Sequence, residues 1–432
     1  MRLIFVNRFF HPDHSATSQM LSDLAFGLTQ HGYDVNVITS RLRYDDAGAQ
    51  LAATETVGGV RVVRVWTSRH GRGSVILRAV DYLTFYLSAA WTLLKTARRG
   101  DVLIAMTDPP AVSVVAALVA KVRGARLINW LQDIFPEVAE ALTPGRAAAK
   151  TLFLPLRIFR NASLRHAERN VAIGALMAER LQNIGVDRER IAVIPNWSDV
   201  EAIHPIAQSQ NALRADWNLA NKFVVGYSGN LGRAHDIETL LSAIAISERL
   251  PARTRAIHWV FIGGGAGYER LKREAELGEF KNVSFYPYQP RGALAESLSA
   301  ADVHIVSLKP ELEGLIVPSK FYGIAAAGRP TIFIGCSRGE VARDIVRHDC
   351  GATVAIGDAL ALVETINAMA QDPARCVGMG ERARAMCEEK FSRTSAIAMW
   401  SRLLLSVAEA PANNTNRTSH FVKPPIAKRQ EP

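Results

Sequence analysis

Cysteine is scarce in this chain of 432 residues, with four in all: Cys336, Cys350, Cys376 and Cys387. None of their spacings is that of a metal or redox pair, so reduced thiols in a cytosolic protein are expected, not a disulfide-stapled scaffold. Long apolar runs are missing too. The segment Ala79–Leu94 (AVDYLTFYLSAAWTLL) has sixteen residues and contains Asp81, short of the roughly 20 apolar residues that a membrane span needs. The opening MRLIFVNRFFHP lacks the long apolar core and small-residue cleavage site of a signal peptide. It reads as a buried first strand, and the protein is expected to remain in the cytoplasm. No zinc-finger or aromatic RNA-binding motif is present, so nucleic acid is not an expected partner. His11 and His14 lie on either side of Asp13 without a third ligand at helical spacing, and no metal is expected.

Hydrophobic residues at 48% and charged residues at 21% describe a well-packed soluble chain. Its length exceeds one ordinary core and implies two domains. The net charge of +10 is unevenly placed. From Arg61 to Arg99 there are eight Lys or Arg residues against Asp81 alone, and from Leu142 to Arg169 six against Glu168 alone. Such patches suit phosphate groups or an anionic membrane surface. Ala79–Leu94, with Arg72, Arg78, Lys95, Arg98 and Arg99 around it, reads either as a helix that docks on a membrane surface or as a core helix.

Short β-rich runs alternate with helical patterns. Leu3–Asn7 predicts a strand, and Met20, Leu21, Leu24, Ala25 and Leu28 one face of a helix that stops near Gly32. Further strands are predicted at Asp34–Thr39, Val62–Trp66, Val102–Met106, Arg126–Trp130, Val171–Ile173 and Ile191–Ile194. The alternation restarts at Lys222 with FVVGYS, a GNLGR turn and a helix over Ile237, Leu240, Leu241 and Ile244. Strands at Trp259–Gly263, Val283–Phe285, Val303–Val306 and Thr331–Ile334 follow. This is an α/β chain of two doubly wound parallel sheets, one over residues 1–200 and one over 201–391, joined near Asn196–Pro205. Ser392–Ala408 reads as a last amphipathic helix completing the first domain. Residues 411–432 read as a disordered tail. Ligands of such sheets bind beyond the carboxyl ends of the strands, so two facing sheets imply a cleft.

Several loops carry chemistry at those strand ends. Arg8–Ser18 (RFFHPDHSATS) leads into a helix N-terminus, where Ser15, Ala16 and Thr17 offer N–H and hydroxyl groups to an anion; ordinary N-capping by Ser15, Thr17 or Ser18 is the other reading. Asp133, in WLQDIFPE, can orient or deprotonate an acceptor hydroxyl, or cap the helix near Pro136 and Glu137. In GYSGNLGR, Gly229 and Asn230 sit in a turn that lets a backbone approach a diphosphate, with Arg233 as charge. Gly264, in GGGAG, repeats the arrangement, although tight strand-to-helix turns explain both loops. The strongest segment is Glu311–Pro330 (ELEGLIVPSKFYGIAAAGRP). Here Ser319 and Lys320 open a helix that stops at Gly328, and a helix start bearing Ser and Lys can hold a diphosphate. A surface loop before a Ser-capped helix needs no ligand and remains open.

The pieces FFHPDHSATSQMLSDLAFGLTQHGYDVNVIT, WLQDIFPE, VIPNWSDVEAIHP, GYSGNLGRAHDIETLLSAI, FIGGGAGYERL, AADVHIVSLKP and VPSKFYGIAAAGRP follow one another from Met1 to about Leu405. Their ordered combination resembles glycosyltransferase family 4, retaining enzymes of the GT-B fold. Within it, the chain is similar to bacterial surface-polysaccharide transferases of the fucosaminyl- and colanic-acid type. The resemblance implies a nucleotide-sugar donor and a lipid-linked or oligosaccharide acceptor at the cytoplasmic face of the inner membrane, with no cofactor. It implies that Ser15–Thr17 lie near the donor phosphate and acceptor, that Arg233 lies near a diphosphate contact, and that Glu313 faces the donor sugar. Asn196 and Asp199 match an architectural Asn–x–x–Asp.

The chain departs from that pattern in three places. Gly323 stands where the family has its second acid, Asn230 where a basic residue is common, and Gln132–Asp133 where a histidine is usual. Phosphate charge then falls to Arg233 and above all to Lys320. The implied reaction has no obligatory enzyme nucleophile. The diphosphate leaves under the stabilisation of Lys320, Arg233, Ser319 and helix N-termini, while Asp133 and Glu313 serve acceptor and donor sugar. A nucleotide-sugar epimerase and an inactive sugar-nucleotide-binding scaffold are the alternative readings.

Overall fold

The runs rich in Val, Ile, Leu and Phe form strands because their β-branched and aromatic side chains pack on a pleated surface covered on both faces. In this computed structural model the residues described are 1–44, 46, 48–70, 75–143, 151–249 and 256–409. The first sheet holds β1 (Arg2–Val6), β2 (Asp34–Ser40), β3 (Thr54–Val57), β4 (Val60–Val65), β5 (Val102–Ala105), β6 (Arg126–Leu131), β7 (Arg169–Ala172) and β8 (Ile191–Val193). Its strand order is β3-β4-β2-β1-β5-β6-β7-β8. The second sheet holds β9 (Lys222–Asn230), β10 (Ala256–Gly264), β11 (Val283–Tyr286), β12 (Val303–Ser307), β13 (Thr331–Ile334) and β14 (Gly351–Val354), in the order β11-β10-β9-β12-β13-β14. Both are doubly wound, with the strand order reversing beside β1 and β9, where ligand crevices form in such folds.

Two strands depart from the expected pattern. β3 pairs antiparallel with β4 through a turn in which Gly58 and Gly59 have φ of 56° and 80°, the positive values that a two-residue hairpin needs. Its sequence, TETV, is too polar to announce a strand, as suits the edge of a sheet. β14 (GATV) opens on a glycine and offers too few apolar residues to stand out. The tail read as disordered, residues 411–432, lies outside the described residues.

The chain crosses between the domains twice, and the crossings pair. The Ser198 N–H donates to Phe391 O at 2.9 Å, and the Arg393 N–H donates to Ser198 O at 3.0 Å. The Arg384 guanidinium fastens the same region by donating to Val200 O, Ile203 O and Ala326 O at 2.6–2.8 Å. After the return crossing, helix Arg393–Glu409 packs on helix Ala16–Gln30 of the first domain. Fully buried Trp400 meets Trp130 at 5.0 Å between ring centroids, and Trp130 stacks on Trp197 at 5.8 Å. A further apolar cluster spans both domains, joining Leu131, Ile134 and Met177 to Leu312, Leu315 and Phe321.

The buried indole of Trp400 anchors the last helix to the first domain. Trp400→Ala is expected to cost about 3–5 kcal/mol, read as a lower midpoint in urea unfolding. A loss below about 1 kcal/mol would show that this helix contributes little to the first core.

Candidate active site

The carboxyl ends of β9 and β10 approach so closely that side chains have no room. A Cβ at Gly263, where φ is 136°, would stand 2.3 Å from Gly229 O. At Gly229, where φ is 111°, it would stand 2.9 Å from Lys320 Cε. The segment expected to be a turn is the end of a strand: β9 continues through Asn230, which pairs with Gly264 in register, and the Leu231 N–H donates to Gly264 O at 2.8 Å. The glycines thus make a bare backbone floor, and Lys320 lies along it.

Lys320 begins helix Lys320–Ala326, and its Nζ turns back over that floor. It donates to the Tyr227 hydroxyl and to Asn230 O, the latter at 2.5 Å, and it lies 4.1 Å from the Tyr227 ring centroid. His235 Nε2 is 3.4 Å away, while His235 Nδ1 is 2.6 Å from Ser307 O. A ring nitrogen that close to a carbonyl must carry the proton, so Nε2 is left as an acceptor facing Lys320. Burial pushes His235 down to about 3, with the charge of Lys320 acting in the same direction, so the ring stays neutral. All three partners of the ammonium are neutral. Among the described residues no carboxylate pairs with Lys320, and burial lowers its pKa to about 7. A desolvated cation without a counter-charge is electrostatically incomplete and favours an incoming anion. Ser319 next to it is exposed and its hydroxyl makes no cap bond.

The segment that delivers Lys320 is held from the first domain. The Ile134 N–H donates to Leu315 O at 3.0 Å, and Asp133 and Glu313 both bridge to Ile316. The Arg180 guanidinium, on helix Ala175–Asn183, donates to Glu313 O at 3.0 and 2.6 Å. Two carboxylates complete the contact at helix N-termini, where unpaired N–H groups attract negative charge. Glu313 Oε1 accepts from the Glu340 N–H at 2.9 Å, and the Glu340 carboxylate accepts from Ala175 and Leu176 N–H at 2.9 and 3.0 Å. Glu313 Oε2 is sealed and unpartnered, and burial raises its pKa while the Glu340 N–H opposes the shift. In this conformation Glu313 therefore caps helix Glu340–His348.

On the first-domain side, Asp133 follows β6 beside a small cavity of about 30 Å³ lined by Thr107, Asn129, Phe135 and Arg160 among others. The residue as a whole is partly buried, but its Oδ1 is sealed from solvent and has no partner. Burial raises its pKa to about 7, against a hydrogen bond from Thr107. Asp133 is not a cap, because Pro136 holds the N-cap position of helix Glu137–Leu142. Glu137 turns to Arg160 at 2.5 Å, and Arg160 keeps Nε and Nη1 unpartnered, as Asn129 does its Oδ1. Buried polar atoms with unused hydrogen-bonding capacity around one cavity are a setting for a polar ligand or ordered water.

In the first loop Asp13 does the organising. Its carboxylate accepts from the Ser15 N–H at 2.8 Å and from the Tyr44 N–H at 2.5 Å, and its carbonyl accepts from the Ser18 hydroxyl at 3.1 Å. Ser15 occupies the N-cap position of helix Ala16–Gln30 but makes no cap bond; its Oγ is buried and unpartnered. Simple capping by Ser15 is therefore not what this loop shows. Across the cleft Arg291 pairs with Asp23 of that helix at 3.1 Å.

The structure thus brings Gly229, Asn230, Gly264, Ser319 and Lys320 to one strand end, and joins Asp133 to Glu313 through Ile316. Arg233 follows Asn230 in the same loop; its side chain is exposed and is not among the Lys320 contacts. Ser15, Ala16 and Thr17 stand at the separate helix start of the first domain. Tyr227, His235, Arg160, Arg180 and Glu340 escaped the sequence reading. The AHD run after GNLGR placed His235 near the strand end and was the one available signal; the others depend on contacts distant in sequence.

The chain matches known glycosyltransferase domains over most of its length. Residues 16–197 match the glycosyl transferase 4-like domain, and residues 209–386 match the glycosyl transferases group 1 domain. The putative colanic acid biosynthesis glycosyl transferase WcaI of Escherichia coli (strain K12) is 24% identical over 337 residues, 76% of this chain and 82% of the relative. The probable glycosyltransferase WbjE of Pseudomonas aeruginosa is 28% identical over 281 residues, 64% of this chain and 67% of the relative. The structure of Anabaena Alr3699/HepE in complex with UDP-glucose shares the fold, with a TM-score of 0.69 at 16% identity, covering 94% of this chain and 100% of that one.

The raised pKa of Asp133 sets a stability window. The folded state holds the proton more tightly than the unfolded state, whose carboxyl titrates near 3.8. The penalty for burying Asp133 therefore accumulates as pH rises from about 4 to about 7 and levels off above that. The melting temperature of Asp133→Asn relative to wild type is expected to climb through this window. A difference that stays flat with pH would refute the buried, proton-retaining carboxyl.

Proposed function

The chain belongs to the glycosyltransferases of family 4 type with the GT-B fold, and from that premise we propose that it moves a sugar from a nucleoside diphosphate to a hydroxyl of a carbohydrate acceptor with the anomeric configuration retained. The observation that carries this reading is Lys320: a partly buried ammonium at the end of β9, held by three neutral groups and, among the described residues, by no carboxylate. A diphosphate supplies the missing charge. Ser319 and the backbone at Gly229, Asn230 and Gly264 admit its oxygens close to the chain. Arg233, exposed on the same loop, supplies further positive charge. The UDP-glucose complex of the Anabaena protein supports a nucleotide sugar as donor.

In the proposed reaction the bond from the anomeric carbon to the diphosphate breaks, and one to the acceptor oxygen forms. The acceptor proton passes to the departing diphosphate, whose growing charge Lys320 stabilises. Asp133 orients the acceptor hydroxyl from the cavity it shares with Arg160, and Glu313 meets the donor sugar once it leaves the Glu340 N–H. Ser15, Ala16 and Thr17 face both substrates from the first domain. No metal is needed in this reading, because an ammonium and N–H groups carry the countercharge. The name of the Escherichia coli relative, a putative colanic acid biosynthesis glycosyl transferase, supports an acceptor in cell-surface polysaccharide assembly (O-antigen, capsule or exopolysaccharide). We place it as a lipid-linked saccharide at the cytoplasmic face of the inner membrane.

The test is a panel of nucleotide sugars incubated with and without undecaprenyl-diphosphate-linked acceptors, with NMR of the product linkage. Acceptor-dependent nucleotide release with a retained anomer is expected, and Lys320→Ala is expected to lower turnover by about 100-fold or more. Donor isomerisation without acceptor would indicate an epimerase. Unchanged turnover in Lys320→Ala would overturn the phosphate assignment.

A further inference from the structure

Helix Val75–Thr96 has two unlike faces. Phe85, Ala89 and Leu93 are fully buried and join a core with Ile4, Leu103 and Ala116. The opposite face carries Ile76, Val80, Leu83, Leu87, Trp91 and Leu94, spaced at helical intervals and each exposed by 36–76%. Apolar residues at this spacing ordinarily face a core, but here they face outward along the helix. The apolar surface continues onto the next two helices of this flank, which pack in series. Leu118 and Val122 of helix Val112–Arg123 are exposed, and so are Ile158 and Phe159 of helix Leu154–His166. The second domain shows no comparable row among the described residues; its exposed large apolar side chains, such as Leu277 and Val346, are scattered singly. A patch of this extent marks an interaction surface.

Charge selects the partner. From residue 76 to residue 123 the exposed charged side chains are Lys95, Arg98, Arg99, Lys121 and Arg123, all basic, whereas Asp81 and Asp101 are buried and Asp108 is partly so. Lys95 Nζ lies 4.4 Å from the Trp91 ring centroid, so its stem follows the apolar stripe to where the ammonium meets solvent. No helix among the described residues is long and apolar enough to cross a membrane. An apolar stripe edged by cations suits a surface helix that sinks its apolar face to the level of the lipid headgroups. Two copies of this face meeting across a twofold axis would set like charges together, whereas anionic headgroups neutralise them.

We propose that this flank of the first domain is a docking face for an anionic phospholipid bilayer, with the Ile76–Leu94 stripe in the interface and the five cations against lipid phosphates. It gives the transferase reading a lipid-surface partner. The test requires neither donor nor acceptor, so its failure leaves that reading standing.

The experiment is flotation of the full-length protein with vesicles of phosphatidylcholine, with and without phosphatidylglycerol, at low salt. Binding to the phosphatidylglycerol vesicles is expected. It should fall at least about tenfold in the triple variant Leu83→Ser, Leu87→Ser, Trp91→Ser, and equally in Lys95→Glu, Arg98→Glu, Arg99→Glu. All six side chains are exposed, so circular dichroism melting should be unchanged; should the serine variant fail to fold, the charge-reversal variant still tests the proposal. Binding that ignores phosphatidylglycerol, or variants that float like wild type, would overturn it. So would light scattering showing a wild-type dimer that the serine variant splits while neither binds vesicles, since a second copy would then cover the face.

Discussion

The carboxylates of Glu313 and Glu340 at two helix N-termini hold the cleft in its observed form. Glu340 reaches from the second domain to the Ala175 and Leu176 N–H groups of the first, and Glu313 in turn accepts from the Glu340 N–H. A helix start offers donors that nothing within the helix can satisfy, and a carboxylate there gains both hydrogen bonds and the favourable end of the dipole. Because Glu313, Ile316 and Lys320 belong to one short segment, this capping sets where that segment runs. Asp133 pairs with Ile316, and Lys320 reaches the floor of β9, only while the segment stays in place.

On the two sides of that segment the electrostatics differ. Around Lys320 the partners are neutral and the cation is unbalanced, which favours an anion. Beside Asp133 the carboxyl is sealed and holds its proton up to about pH 7, a neutral group that can share a hydrogen bond with a hydroxyl. One burial effect, acting on groups of opposite charge, moves both Lys320 and Asp133 toward neutral pH. Glu313, still bound to the Glu340 N–H, connects the donor side to the interdomain contact: a ligand that drew its carboxylate away would uncap helix Glu340–His348.

Much of this was legible in residue order. The restart of alternation at Lys222 pointed to two doubly wound sheets, and the Gly-rich strand ends and the Pro–Ser–Lys helix start to a candidate site in the second. The two expected turns proved to be strand ends, because Gly229 and Gly263 allow β9 and β10 to stay paired while their backbones nearly touch. Tyr227 looked like an ordinary strand aromatic, and only the return of Lys320 from more than ninety positions later shows what its hydroxyl does. Arg233 was expected to add charge beside Lys320; its side chain is exposed, and neutral His235 is the residue of that loop that lies beside the ammonium.

By itself the sequence determined the alternation, the two sheets, the strand ends where chemistry collects and the amphipathic character of Val75–Thr96, because these follow from periodicity and local backbone preference. Tertiary structure alone decided which charges remain unbalanced. Whether Lys320 meets a carboxylate, whether Asp133 caps a helix or faces a cavity, and whether Leu83 and Trp91 lie in a core or on a surface are questions of what distant segments bring alongside. Desolvation and pairing act through space, over a few ångströms, and spacing along the chain does not encode them.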